Sequence, residues 1–226
     1  MSSTPCGPFL DTASSEFRQL RERGAALVDK SLFIRDLIDA EKSIVIPRPR
    51  RFGKTTNLDM AAEWFDIKHQ DQEKLFAGMK ILTDEIACEH RGRHPVIALS
   101  LKDWMPRNPE ELQQRMSLEM SSLVASHRAA WGALEPEDKA RIATVAACSA
   151  DVPTLQGSLK LLCQALAQFH GALPVVLIDE YDAPIHNAYA RDFYRDAIDF
   201  LRPWLSAAFK DNKNLFKGVL PGLRRV

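Results

Sequence analysis

Short apolar runs alternate with longer segments of helical periodicity along this chain. Four of the runs are rich in valine, isoleucine or leucine and have the length of β-strands: Ser43–Pro47, Pro95–Leu101, Leu173–Asp179 and Lys217–Leu220. Strands that read as continuous apolar runs are typical of a sheet covered on both faces. Their alternation with helical segments predicts a mainly parallel sheet flanked by helices, and therefore an α/β fold.

The segments around these runs carry apolar residues at the spacing of an amphipathic helix. The predicted helices cover Thr55–Ile67, a segment that starts at Asn108-Pro109, Leu134–Ala150, Leu155–Phe169 and Ala190–Phe209. We expect their apolar faces, including the one that ends at Phe169, to lie in the core. A proline inside a helix removes a hydrogen bond and clashes with the preceding turn, so Pro203 predicts a kink or a split in the last helix.

Composition limits the classes of protein to which this chain can belong. A chain of 226 residues with 46% hydrophobic residues can bury one α/β core. Basic and acidic residues balance at 30 each, so net charge does not indicate a nucleic-acid-binding surface. The four cysteines are scattered without a CxxC pair, which argues against a disulfide framework and a zinc ribbon. No apolar run approaches the roughly 18 residues that span a bilayer, and the N-terminus lacks a signal pattern, so we expect a soluble, cytoplasmic protein.

The first strand leads directly into a loop that has the features of a phosphate-binding P-loop. The residues that we expect to contact the nucleotide are Arg48, Pro49, Arg50, Arg51, Phe52, Gly53, Lys54, Thr55 and Thr56. In a strand–loop–helix of this kind, backbone N–H groups and the helix N-terminus converge on the phosphates. Gly53 permits close approach, Lys54 adds positive charge, and the Thr55 hydroxyl is expected to coordinate magnesium. The usual pattern starts with glycine where this chain has Arg48, and the alternative is a basic loop before an ordinary helix.

The third apolar run ends in two carboxylates, Asp179 and Glu180. Such a pair is the expected partner of a P-loop in ATP-hydrolysing enzymes. We predict that Asp179 holds magnesium, directly or through water, and that Glu180 is the catalytic general base that polarises the attacking water. A solvated strand end is the alternative for an acidic pair considered by itself. The two motifs together predict an ATP and Mg²⁺ site at the carboxyl ends of the strands. They also indicate an additional-strand ATPase, in which the lysine strand and the acid strand are not neighbours.

Several segments resemble the AAA-ATPase-like domain family. The matching segments are Val28–Ser31, Arg48–Thr55, Leu75–Ile81, Asp179–Ile185 and Asp211–Leu215. The resemblance covers about Phe17 to Val226, and the combination of RPRRFGK with DEYDAP is quite specific. It implies a three-layer P-loop NTPase fold and binding of ATP by the loop and the acids already named. In that family arginine is usual at the first loop position, so Arg48 is no longer an anomaly.

Three features of the family are not matched in this sequence. Members commonly carry a lid region and a nuclease-like domain of the PD-(D/E)XK type after the ATPase core, and neither is found here. We therefore expect residues 1–16 to be a partly disordered tail and residues 17–226 to be a nucleotide-binding domain without its lid and final strand. The family tends to have threonine at the end of the fourth strand, where this chain has Pro221, which offers no hydroxyl.

These features lead to one hypothesis with two alternatives. The leading hypothesis is an AAA-like ATPase that binds ATP and Mg²⁺ and hydrolyses ATP weakly, or with a partner, to drive a conformational change. The first alternative is a degenerate nucleotide-binding sensor or scaffold without turnover, which Pro221 and the missing lid favour. A small-molecule kinase is disfavoured because Glu180 suits water activation. Expected partners are a second copy of the chain or another protein; a link to a nuclease or nucleic acid rests on the family resemblance only.

Two weaker features have open interpretations. Asp29 and Lys30 lie upstream of the loop strand, where ATPases of this type often hold the adenine, but they could equally be a surface pair at the start of a helix. Cys88, His90 and His94 fit no common zinc spacing, and we expect no metal there.

Overall fold

The computed structural model describes residues 16–47, 53–210 and 212–222. Within these ranges the strands are β1 (Ser43–Pro47), β2 (Val96–Ser100), β3 (Val175–Asp179) and β4 (Lys217–Gly222). The helices are α1 (Phe17–Glu22), α2 (Phe33–Asp39), α3 (Lys54–Phe65), α4 (Gln72–Leu75), α5 (Glu85–Glu89), α6 (Pro109–Ser126), α7 (Pro136–Ala146), α8 (Val152–His170), α9 (Ala183–Tyr189) and α10 (Tyr194–Phe209), with 3-10 turns at Lys80–Thr83 and Arg128–Ala133. None of these helices is both long and apolar enough to cross a membrane.

The four strands form one parallel sheet in the order β1-β4-β3-β2. This confirms the predicted parallel sheet and the separation of the lysine strand from the acid strand. The strand that lies between them in space is β4, whereas β2, which lies between them in the sequence, is at the far edge. All five residues of β3 are buried, and those of β1 alternate between exposed and half-buried.

Helices cover both faces of the sheet and form two hydrophobic cores. Alternate side chains of β3 enter opposite cores because successive strand residues point to opposite faces. Val176 and Ile178 pack with the helices α6, α7, α8 and α10. Val175 and Leu177 pack with α1, α2, α3 and α5. The chain therefore has the three layers, helix–sheet–helix, that the predicted fold requires.

The predicted helices are present, with two errors in detail. Asn108 caps α6 by accepting a hydrogen bond from the Glu111 backbone N–H at 2.8 Å, as its position predicted. Phe169 was expected in the core, but it lies near the end of α8 and is 50% exposed. The apolar face of α8 is buried from Leu155 to Leu166. Beyond Leu166 the helix extends past the core, so helical spacing no longer ensures burial.

The prediction that Pro203 splits a helix over Ala190–Phe209 is wrong, and a kink at Pro203 stays a prediction. The break lies at residues 190–193, between α9 and α10, and α10 continues through Pro203. A proline removes only one helical hydrogen bond directly. The buried face of α10, which includes Leu201 and Trp204 on either side of the proline, holds the helix together.

Strand β4 is two residues longer than predicted and contains Pro221. It pairs with β1 as far as Pro47↔Gly222, but with β3 only as far as Leu177↔Val219. Pro221 therefore lies beyond the last pair that β4 makes with β3. A proline without an N–H can occupy a central strand there, because no bond to β3 is lost.

Two histidines of the CEHRGRH segment stack near the amino ends of the strands. The His94 and Phe216 rings are 4.0 Å apart at their centroids and nearly parallel. His94 Nδ1 is 2.8 Å from the Leu173 carbonyl oxygen, and His94 Nε2 is 3.0 Å from His90 Nδ1. Because a carbonyl only accepts, Nδ1 of His94 carries the proton and its Nε2 accepts from His90. Burial is the main cause that lowers the pKa of both rings.

We expect acidification to weaken the fold through this pair. A histidine whose pKa is lowered on folding binds fewer protons in the folded than in the unfolded state, so the free energy of unfolding falls as pH drops below the ordinary histidine value of about 6.5. Urea unfolding at pH 7.5 and pH 5.5 measures this loss. His94→Phe keeps an aromatic ring in the stack and removes one of the two titrating rings, so its loss between the two pH values should be smaller. An equal loss in both proteins would contradict the assignment.

Candidate functional site

The N-terminus of α3 meets the carboxyl end of β3 through one direct contact. Thr55 Oγ1 donates a hydrogen bond of 2.6 Å to Asp179 Oδ2. The other carboxylate oxygen, Oδ1, accepts from the Glu180 backbone N–H at 3.0 Å. Asp179 is 7% exposed, whereas Thr55 is exposed to solvent. The carboxylate is thus held in one orientation at a position that a ligand at the start of α3 can reach.

Gly53 forms the N-cap of α3 in a left-handed conformation, with φ 72° and ψ 29°. Residues with a side chain rarely adopt this conformation, so glycine lets the chain turn from the loop into the helix. The first turn of α3 contains no acidic residue that would offset the partial positive charge of the helix N-terminus. This end of α3 therefore offers a partial positive charge, and the Asp179 carboxylate faces it through Thr55. Thr56 is half-buried in the same turn. Arg48–Phe52 lie outside the described residues, and their contacts with the nucleotide stay predictions.

Lys54 and Glu180 line the same cavity, which has a volume of about 280 Å³. Lys54 Nζ is also 3.5 Å from the Gly222 carbonyl oxygen, at the outer limit of a hydrogen bond. Lys102, which follows β2, lines this cavity too, although nothing in its sequence context indicated a site. The structure therefore brings Lys54, Thr55, Asp179 and Glu180 to one end of the sheet.

Glu180 has an unusual backbone conformation for a residue with a side chain. Its φ is 48°, in the left-handed region, which costs a non-glycine residue roughly 1–2 kcal/mol. The turn is held from both sides, because the Glu180 N–H donates to Asp179 and its carbonyl accepts from Ala183 N–H at 3.0 Å. Residues held in such conformations concentrate at functional sites. Glu180 therefore lies in a strained turn at the cavity that Lys54 also lines.

Gly222 is a further residue of the site that the sequence did not reveal. A Cβ atom there would lie 2.6 Å from Tyr181 Cε1, so the end of β4 packs directly against the segment that follows the two acids. Its carbonyl is the oxygen near Lys54. The available signal was a Pro-Gly pair directly after an apolar run, which ordinarily indicates a turn. Pro221 is buried in β4 and lines a small pocket with Lys54, where it offers no hydroxyl.

The chemistry of these groups fits a phosphate and a hard cation held side by side. A hydroxyl and a carboxylate oxygen are ligands that Mg²⁺ accepts, and it usually needs only one or two protein ligands besides phosphates and water. Thr55 and Asp179 provide these two ligands in contact with each other. A lysine and a helix N-terminus without an acidic residue suit the phosphates.

A larger cavity of about 990 Å³ lies elsewhere among the described residues, between β1 and α10. Its lining is mostly apolar, with Val45, Leu201 and Phe209 among the contributors. It contains none of the predicted site residues. A triphosphate requires cations and backbone N–H groups rather than volume, so chemistry and not size identifies the candidate nucleotide site.

Comparisons with known proteins identify the family of the chain. Residues 12–226 match the family model of the AAA-ATPase-like family, which is described as "Predicted AAA-ATPase". The chain is also similar to "Uncharacterized protein in vnfD 5'region" of Azotobacter chroococcum mcd 1, with 28% identity over 201 residues. That alignment covers 88% of this chain and 34% of the relative, so the chain spans about a third of that protein's length. A search of solved structures found no match.

Proposed function

Because the chain belongs to the AAA-ATPase-like family, we propose that it binds ATP with Mg²⁺ at the carboxyl end of its sheet and hydrolyses the nucleotide slowly or with help from a partner. The observation that carries this proposal is the hydrogen bond between Thr55 and Asp179. It joins the phosphate-binding motif to the acidic motif, which are far apart in the sequence. If the first motif were only a basic loop before a helix and the second only a solvated strand end, no direct hydrogen bond between them would be expected.

In the proposed site, the start of α3 and Lys54 bind the phosphates, together with the loop residues Arg48–Phe52. Thr55 and Asp179 hold Mg²⁺, Asp179 directly or through water. When bound, Mg²⁺ neutralises charge on the phosphate oxygens. Lys54 orients the terminal phosphate from the cavity that it shares with Glu180.

Glu180 acts as the general base in this proposal. Its carboxylate accepts a proton from the water that attacks the γ-phosphate, so the water becomes a better nucleophile. The new bond forms between the water oxygen and the γ-phosphorus, and the bond between the γ-phosphorus and the bridging oxygen breaks. That oxygen leaves with ADP, and the γ-phosphorus leaves as inorganic phosphate. The left-handed backbone at Glu180 supports this role, because a strained turn that fixes one carboxylate in a cavity has no evident structural benefit.

A nucleotide-binding sensor or scaffold without turnover remains the second candidate. Pro221 favours it, because the end of β4 lies near Lys54 and presents no hydroxyl that could contact a phosphate. Such a module would bind ATP through the same residues. The two candidates therefore differ only in the release of phosphate. Assembly with a second copy or with another protein is part of either proposal.

We expect Lys54→Ala to weaken ATP binding by about 10-fold to 100-fold. A charge-assisted hydrogen bond contributes roughly 1.5–3 kcal/mol, and each 1.4 kcal/mol corresponds to a factor of ten in affinity. Calorimetric titration of the purified protein with ATP in the presence of MgCl₂ measures the affinity.

The matched control is Lys68→Ala, which removes an exposed lysine that follows the C-terminal end of α3. This variant carries the same change in net charge and should bind ATP as the wild type does. If wild type and Lys54→Ala bind ATP equally, the assignment of the phosphate site is wrong.

A further inference from the structure

A lysine from a distant segment lies beside the start of α3. The ammonium nitrogen of Lys30 is 3.8 Å from the position that a Cβ atom at residue 53 would occupy. Gly53 is the N-cap of α3, and Lys54 follows it directly. Two lysines from separate parts of the chain are therefore found at the same helix N-terminus: Lys54 is the first residue of α3, and the Lys30 side chain lies beside its N-cap. Lys30 is itself exposed, so a ligand at this end of the helix can reach it.

The backbone that carries Lys30 is held in place by its two neighbours. Asp29 Oδ1 accepts from Ser31 N–H and Oδ2 accepts from Lys80 N–H, both at 2.9 Å. The fully buried Ser31 accepts from Ile81 N–H through its hydroxyl at 3.1 Å. Burial acts to raise the pKa of Asp29, but the hydrogen bonds from Ser31 and Lys80 outweigh it and lower the pKa. Asp29 thus remains an ionised anchor.

These contacts join two of the segments that resemble the family. Val28–Ser31 and Leu75–Ile81 are far apart in the sequence, and the structure joins them through Asp29 and Ser31. The anchored segment then places Lys30 next to Gly53. Asp29 and Ser31 make this attachment, and the ammonium nitrogen of Lys30, between them, lies beside the start of α3.

We propose that Lys30 is a second phosphate-binding cation of the nucleotide site, acting on the same polyphosphate as Lys54. This inference rests on the proposed function and deepens it. An ammonium group offers three hydrogen-bond donors and no acceptor, which suits phosphate oxygens. Its place beside Gly53, where the backbone can approach a phosphate, distinguishes this role from a contact with the adenine base. The role also differs from that of a surface pair at a helix start.

Lys30 should act on the phosphates of the ligand and not on its nucleoside. An ammonium group is attracted to anionic phosphate oxygens and not to the uncharged adenosine. Each added phosphate gives Lys30 and Lys54 more oxygens to contact. The contribution of Lys30 should therefore grow with the number of phosphates on the ligand, and it should weaken at high salt.

The test compares wild type and Lys30→Ala in titrations with ATP, ADP, AMP and adenosine. We expect Lys30→Ala to bind ATP about tenfold more weakly, to bind ADP more weakly as well, and to bind adenosine as the wild type does. Lys30→Arg keeps the charge and should recover most of the ATP affinity. Thermal unfolding without nucleotide should be nearly the same in all three proteins, because Lys30 is exposed. Lys74→Ala, which removes an exposed lysine in α4, should bind ATP like the wild type.

Different failures separate this inference from the proposed function. If Lys54→Ala loses ATP affinity and Lys30→Ala retains it, the role of Lys30 is wrong and the nucleotide site stands. If Lys30→Ala weakens ATP, AMP and adenosine by the same factor, Lys30 contacts the nucleoside and the inference is overturned. If the wild type does not bind ATP, the proposed function fails and the inference fails with it.

Discussion

Glu180→Gln is expected to lower the rate of phosphate release by about 100-fold or more while ATP affinity stays within about twofold. A positioned general base contributes roughly 10²–10⁴ to a rate, and a glutamine amide of the same shape cannot accept the proton. Binding should survive because the proposed site holds the phosphates with Lys54 and the start of α3, not with Glu180. The measurement is phosphate release at saturating ATP, together with a binding titration of both proteins.

The carboxylate of Asp182 provides a matched control, because it lines the same cavity as Glu180. Asp182→Asn should keep most of the hydrolysis rate if the base is Glu180 itself and not the general negative charge of the cavity. Glu180→Gly is informative in another way. It removes the base and also the strain of a left-handed non-glycine residue, so it should abolish turnover and raise the melting temperature.

The outcomes of this experiment also separate the two candidate functions. If the wild type binds ATP and releases no phosphate, the sensor or scaffold function holds, and Glu180 has no catalytic role to lose. If Glu180→Gln releases phosphate as fast as the wild type, the assignment of the base is wrong even though the protein is an ATPase. If Glu180 is the general base, phosphate release is slow in Glu180→Gln and close to the wild-type rate in Asp182→Asn.

The strands and the sheet could be predicted because their signal is local. Each strand reads as an apolar run, and Ser43–Pro47 is bounded in the structure as predicted. The candidate site could be located because its residues follow two such runs. The order of the strands could not be derived from spacing: β4, the last of the described strands, lies between β1 and β3. The two motifs predict that Thr55 and Asp179 meet, and this order of strands is how the fold brings them together.

The residues that the sequence did not reveal are those whose role depends on a distant neighbour. Lys30 could be interpreted as an adenine contact or a surface residue until the structure placed it next to Gly53. A Pro-Gly pair ordinarily indicates a turn, but Gly222 continues β4 and packs against Tyr181. Phe169 and Pro203 show the opposite case. Their local patterns are clear, but the extent of the core decides the outcome. Phe169 lies beyond the core and is exposed, and Pro203 lies in a helix whose buried face continues past it.

The largest expected effect on stability is at another glycine of β4. A Cβ atom at Gly218 would lie 2.2 Å from Phe209 Cδ1 and 2.4 Å from Phe209 Cε1, far inside van der Waals contact. Gly218 lies in the centre of the sheet, where it pairs with Ser43 on one side and Val176 on the other. The strand cannot move away without breaking one of these ladders. The ring cannot move easily either, because Phe209 is 8% exposed and belongs to the core.

Gly218→Ala should therefore lower the free energy of unfolding by about 3 kcal/mol, at the upper end of what overpacking a core usually costs. Gly157→Ala is the matched control. Gly157 lies inside α8, and a Cβ atom there would have nothing within 4 Å, so alanine should stabilise the fold by roughly 0.5–1 kcal/mol. Urea unfolding of the three proteins measures both changes.

The double variant Gly218→Ala with Phe209→Leu tests the cause. If the clash with the ring is responsible, the smaller leucine makes room for the new methyl group, and the double variant should be more stable than the sum of the two single changes predicts. Strict additivity would mean that Gly218→Ala acts through the backbone instead.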